Sequence, residues 1–255
     1  MNSPRGRIAR LAHLTLVHPV LYLAGWMLMA PYTRISLRGA RNIPLSGGCI
    51  VASNHRSYTD PIFLSALTPR PLRFLMHHSW YDRPASRWLY RLVGCIPVGD
   101  NHAAGRSLER AVDAIRAGAA VGIFPEGGVD WQGRMQPFHR GAAVLALWTG
   151  APLVPAFIAG SHEVLPKGAL IPRPRKVRVV AGAPIVVQPQ NLHDIASEEI
   201  SELTRRLQET IAALGRELLG DHPSTVVPAP ANREVPPTVT PGTENPPGFR
   251  AEESS

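Results

Sequence analysis

The feature that most constrains this chain is the alternation of short apolar, partly β-branched runs with longer segments of helical character. The runs are "ISLRG", "CIVAS", "RFLMH", "CIPV", "AVGIF", "LVPAFI" and "VRVVAG" through "PIVV". Helix-like stretches fall around Pro61 to Leu67, Ser86 to Val93, Gly105 to Ala117 and Arg140 to Trp148. Runs this short, bounded by turn residues, fit strands buried on both faces, and helices between them supply the crossovers that parallel strands require. The expectation is an α/β fold: a single mixed, mostly parallel sheet flanked by helices. Ile200, Leu203, Leu207, Ile211, Leu214 and Leu218 then recur at i, i+3, i+4 spacing, which predicts an amphipathic helix closing the domain.

Two segments stand outside this pattern. From Leu11 to Thr33 no side chain carries a formal charge, while Arg5, Arg7 and Arg10 precede the stretch and Arg34, Arg38 and Arg41 follow it. At ~1.5 Å of rise per residue such a run could cross a ~30 Å hydrocarbon core, but His13, His18 and Pro19 interrupt its first half. Basic residues on both flanks leave its orientation open, so a helix lying in one leaflet fits as well as a full span. Residues 1–33 are therefore expected to be a membrane-associated helical segment, 34–220 the α/β domain, and 221–255 a disordered tail rich in Pro, Ser, Thr and Glu.

Charge and cysteine content narrow the partners. The net charge of +8 is carried almost wholly by arginine, since Lys167 and Lys176 are the two lysines. Arginine's planar fork suits phosphates and carboxylates, so anionic partners are expected. The arginines are scattered, with no basic stripe interleaved with aromatics, which argues against nucleic acid. "RPRKVRV" is a basic stretch that reads first as solvated surface and second as a contact for anionic headgroups. Cys49 and Cys95 sit in apolar runs without metal-ligand spacing and read as small core residues of a reducing compartment. His162-Glu163 fails as a metalloprotease helix because Pro166 stands where a second histidine is needed, and no metal site is expected.

The chemistry concentrates in two loops, each following an apolar strand. The first is "SNHRSYTDP", Ser53 to Pro61. His55 and Asp60 are five apart and point in separate directions on an ideal helix; they meet only if His55 is on the loop and Asp60 at the helix start. Asp60 would then fix the tautomer of His55 and leave its other ring nitrogen free to take a proton. The competing reading makes Asp60 an N-cap ahead of Pro61 and His55 an ordinary loop residue. The second loop, Phe124-Pro125-Glu126-Gly127-Gly128, puts a carboxylate and flexible backbone at the end of a neighbouring strand. There Glu126 could bind substrate hydroxyls.

Together these loops resemble the glycerolipid acyltransferase family, the lysophosphatidic acid acyltransferases and their relatives. The family's N-H-x-S-x-x-D block is matched by Asn54, His55, Ser57 and Asp60, its F-P-E-G block by Phe124, Pro125, Glu126 and Gly127, and its weaker V-P-x-x-x-x-G block by Val154, Pro155 and Gly160. The resemblance implies that His55 is a general base oriented by Asp60, with Asn54, Arg56, Ser57, Phe124, Pro125, Glu126, Gly127, Gly128 and Arg140 binding substrate. It implies a lysophospholipid acceptor, 1-acyl-glycerol-3-phosphate, with acyl-CoA or acyl carrier protein as donor, membrane lipids as partners, no cofactor, and a location on the cytoplasmic face of the cell membrane. A thioester is already activated, which accounts for the lack of a protein nucleophile: there is no G-x-S-x-G elbow, Walker loop or G-x-G-x-x-G.

The sequence departs from the family at two arginines that help hold the acceptor phosphate. Asp100 stands at one of these positions and Val129 at the other. Either Arg56, Arg106, Arg134 or Arg140 supplies the charge, or the acceptor has no terminal phosphate and is another lysolipid, an amino-acid lipid or a glycolipid. A hydrolase using the same dyad on water, and a non-catalytic lipid-binding module, are the alternatives in other classes.

Overall fold

The computed structural model describes residues 33–84, 87–99, 102–129, 134–169 and 171–220, with backbone alone for 102–106. The expected membrane-associated segment, but for Thr33, and the Pro-rich tail lie outside the described residues, as does Asp100. Among the described residues no helix is long and apolar enough to cross a membrane.

The chain runs β1 (Thr33–Arg38), β2 (Cys49–Ser53), α1 (Asp60–Ser65), β3 (Leu72–His77), α2 (His78–Tyr81), α3 (Arg87–Leu92), β4 (Ile96–Val98), α4 (His102–Arg116), β5 (Ala120–Ile123), α5 (Gly141–Thr149), β6 (Leu153–Ala159), α6 (Ser161–Val164), β7 (Arg175–Ala181) and α7 (Ser197–Leu219). One seven-stranded sheet has the order β1-β7-β6-β2-β5-β3-β4. Neighbours from β6 to β4 are parallel, β7 runs antiparallel to β6, and β1 is parallel to β7. The mixed, mostly parallel sheet is thus as the apolar runs predict. The "PIVV" run contributes only one isolated bridge, Ile185 to Leu153, rather than a continued strand, and the one-turn helices α2 and α6 are additions that no periodicity could signal.

Strand β2 is central, and all five of its residues are buried. Successive side chains alternate between faces: Ile50 and Ala52 join the core beneath α4, α5 and α7, while Cys49 and Val51 join Phe63, Leu64 and Val154 in the core beneath α1. Gly215 lets α7 approach β6, since a Cβ there would come within 2.7 Å of the Phe157 ring. At the amino ends of the strands, Arg70 donates from Nη1 to Pro44 O (2.6 Å) and from Nη2 to Gly47 O (2.7 Å) and Gly118 O (2.6 Å), pinning the turns that lead into β2 and β5. With that end tied, the carboxyl ends of β5, β2 and β6 form three adjacent loops at the opposite edge, where α/β sheets present their binding crevices.

Candidate active site

The loop after β2 folds back on the first turn of α1. His55 Nδ1 stands 2.9 Å from Asp60 Oδ2, and the same oxygen accepts from the backbone amides of Arg56 (2.6 Å) and Ser57 (2.8 Å). Asp60 therefore does not cap its helix. The structure starts α1 at Asp60, and the carboxylate reaches back into the loop rather than forward to the helix amides. Its side chain is fully buried, whereas that of His55 retains 15% exposure, so the imidazole is the member of the pair that meets the outside.

Each neighbour of the pair fixes one degree of freedom. The Asn54 side-chain amide forms two hydrogen bonds with Ile158 of β6, accepting from its N–H (2.8 Å) and donating to its C=O (3.0 Å), and so continues the β2–β6 ladder by one side chain. Ser57 Oγ lies 2.8 Å from Thr59 Oγ1 and accepts from the Thr59 amide, closing the turn. From the loop after β5, Glu126 accepts from His55 N (2.7 Å) through one oxygen and from Gln136 N (2.8 Å) through the other. The imidazole stacks on Phe124, ring centroids 4.0 Å apart and planes 15° apart, and Phe124 stacks in turn on Phe74 at 5.6 Å. Gly122 makes room for that stack, because a Cβ there would lie 2.4 Å from the Phe74 ring. Gly127, at φ 75°, turns the chain beneath His139, whose amide bonds Pro125 O at 2.8 Å.

The residues predicted from sequence divide accordingly. His55, Asp60, Asn54, Ser57, Phe124, Pro125, Glu126 and Gly127 are brought together, but the polar groups of Asn54 and Ser57 and both carboxylate oxygens of Glu126 bond the protein itself. Gly128 is exposed, with open space where a Cβ would be, at the rim. Arg140 turns away, donating from Nη1 to Ser197 Oγ at the start of α7 (3.1 Å). Arg134 is exposed, and the side chain of Arg106 lies outside the described residues. Arg56 is near enough for its charge to act on His162, a residue that sequence reasoning set aside with the failed metalloprotease helix. Burial, and then the Arg56 charge, push the His162 imidazole below its ordinary pKa, against the opposite pull of Glu163 and Asp60. The signal available was position: His162 follows Gly160 at the carboxyl end of β6, the third loop of the same edge.

An imidazole anchored at Nδ1 by a buried carboxylate is the geometry of a base whose Nε2 is free for a substrate proton. Among the described residues no group of His, Cys, Asp and Glu could hold a metal ion. A hollow of about 310 Å³ between the end of β7 and α7, lined by Ile185, Arg206 and Leu214, shares no residue with this site.

The profile of the acyltransferase family matches residues 34–159, a span that takes in the loops after β2 and β5 and ends with β6. The chain belongs to the acyltransferase family. The chloroplastic 1-acyl-sn-glycerol-3-phosphate acyltransferase of Brassica napus is 30% identical over 68% of this chain and 51% of its own length. The Bacillus subtilis 1-acyl-sn-glycerol-3-phosphate acyltransferase is 25% identical over 72% of this chain and 92% of its own. The crystal structure of the 1-acyl-sn-glycerophosphate acyltransferase PlsC from Thermotoga maritima matches with a TM-score of 0.66 at 24% identity, covering 86% of this chain and 84% of that one, and so shares this acyltransferase fold. The chain spans about half the length of the plant acyltransferases it matches.

Proposed function

We propose that the chain is a membrane-associated acyltransferase that moves a fatty acyl group from an acyl thioester to the hydroxyl of a lysophospholipid, 1-acyl-glycerol-3-phosphate, with His55 as general base. The observation that carries this reading is the 2.9 Å contact between His55 Nδ1 and an Asp60 oxygen that also accepts two backbone amides. The carboxylate keeps the proton on Nδ1 and turns Nε2 outward. Nε2 takes the acceptor's hydroxyl proton as that oxygen attacks the thioester carbonyl. Collapse of the tetrahedral intermediate forms the ester, breaks the C–S bond, and returns the proton from Nε2 to the departing thiolate. Names of relatives in several organisms support the acceptor. Acyl-CoA or acyl carrier protein is the donor, and the cytoplasmic face of the membrane the location.

A second reading, an acceptor without a terminal phosphate, is favoured by Val129, a half-buried apolar side chain beside the Glu126 turn where the family carries an arginine. One experiment tests both. Purified full-length protein is given labelled acyl thioester and a panel of lysolipids with and without terminal phosphate. Transfer that falls by ~10²-fold or more in His55→Ala supports the base, whereas undiminished transfer removes His55 from the mechanism. Preference within the panel decides the acceptor.

A further inference from the structure

Beside the dyad, on the β3 and β4 side of the same edge, three large aromatic side chains stand in the open: Tyr58 (52% exposed), Trp80 (38%) and Trp88 (62%). Tyr58 belongs to the His55 loop, and its ring lies 5.3 Å from that of Trp80 on α2. The Arg83 guanidinium sits 3.9 Å above the Trp80 ring. Trp88 projects from α3, which packs against α2, between exposed Arg87 and Arg91. Asp82, bound to Arg87 at 3.6 Å, is the one acidic residue from His78 to Leu92 against three arginines.

We infer that this rim, formed by Tyr58, Trp80, Arg83, Arg87, Trp88 and Arg91, is a docking surface for an anionic lipid layer. Indole and phenol rings carry an apolar body and a polar tip, which suits the boundary between headgroups and acyl chains. Arginine forks laid over and beside them match lipid phosphate in charge and geometry. An apolar protein partner would want the aromatics without three arginines; a purely electrostatic one would want the arginines without exposed tryptophan. The lipid interface takes both. Because Tyr58 is three residues from His55, docking here turns the imidazole toward the layer in which a lipid acceptor resides. The inference gives the function proposed above a surface to work on, and its test reads binding without turnover, so the two can fail separately.

The test compares three full-length proteins on phosphatidylcholine vesicles with and without phosphatidylglycerol: the parent, Trp80→Ala/Trp88→Ala, and Arg83→Gln/Arg87→Gln/Arg91→Gln. The arginine variant is expected to lose about fivefold in affinity per charge for the anionic vesicles and to show a shallower salt dependence, with binding to neutral vesicles little changed. The tryptophan variant is expected to bind both vesicles more weakly and to lose part of the emission quenched by brominated acyl chains. Trp88→Ser, at the most exposed of the three aromatics, serves if a multiple variant folds poorly by circular dichroism. The inference is overturned if the variants bind as the parent does. It is equally overturned if brominated chains leave Trp80 and Trp88 unquenched because another segment of the chain covers them, or if the arginine variant keeps its vesicle affinity and loses instead an acidic carrier-protein donor.

Discussion

Glu126→Gln separates a carboxylate that holds the fold of the site from one that binds substrate. Glu126 is 8% exposed and accepts from two backbone amides, His55 N at 2.7 Å and Gln136 N at 2.8 Å, one on each oxygen. Glutamine has the same shape but only one acceptor end. Whichever way its amide is turned, an NH2 group faces one of those N–H donors. A hydrogen bond to a charged group contributes about 1.5–3 kcal/mol, and the surviving bond falls to the neutral range of about 1 kcal/mol. Relief from burying a carboxylate offsets part of that loss, leaving an expected destabilisation of about 2–4 kcal/mol. For a domain of this size that lowers Tm by roughly 4–16 °C. If the NH2 turns toward His55, the loop shifts and the imidazole leaves its place, so kcat falls by about 10²-fold or more while acceptor KM changes little. Urea denaturation and steady-state transfer kinetics read the two effects. A variant of parental stability whose only defect is a raised acceptor KM would refute the reasoning and restore the carboxylate to a substrate-binding role.

Two further outcomes follow from other parts of the molecule. Arg70→Ala removes three bonds to backbone carbonyls at the amino end of the sheet and is expected to cost about 2–4 kcal/mol in urea unfolding, with Arg70→Lys recovering only part because an ammonium cannot span all three carbonyls; equal stability of Ala and parent would contradict the pinning role. The His162 ring is held below its ordinary value of 6.5, so the unfolded chain takes up a proton there that the folded one refuses, and stability should fall as pH drops through that value. His162→Gln should flatten that part of the stability curve between about pH 7 and 5, and parallel curves for the two proteins would count against it.

The strands were legible because buried parallel strands write themselves as unbroken apolar runs, and Cys49–Ser53 and Leu153–Ala159 are buried throughout. The roles within the site were less so. Asn54 and Glu126 have the residue types of ligand-binding groups, yet their partners, Ile158 and the amides of His55 and Gln136, are fixed by strand order, to which local sequence is blind. Arg140 was one of four arginines offered as a substitute charge for the acceptor phosphate, but it donates to Ser197, a residue brought there only when α7 docks. His162 was named only as part of a failed metalloprotease helix, because the four-residue helix that carries it to this edge has no period to detect.

The order of the strands also says when in the life of the chain the site can be anchored. His55 and Asp60 are near neighbours along the backbone, but β2 is flanked in space by β5 and β6, which emerge some seventy to a hundred residues later. A ribosome that has delivered the chain only as far as β4 has delivered both members of the pair and neither of the strands that flank them. The loop that carries His55 is therefore anchored only once Ile158 has arrived to meet Asn54.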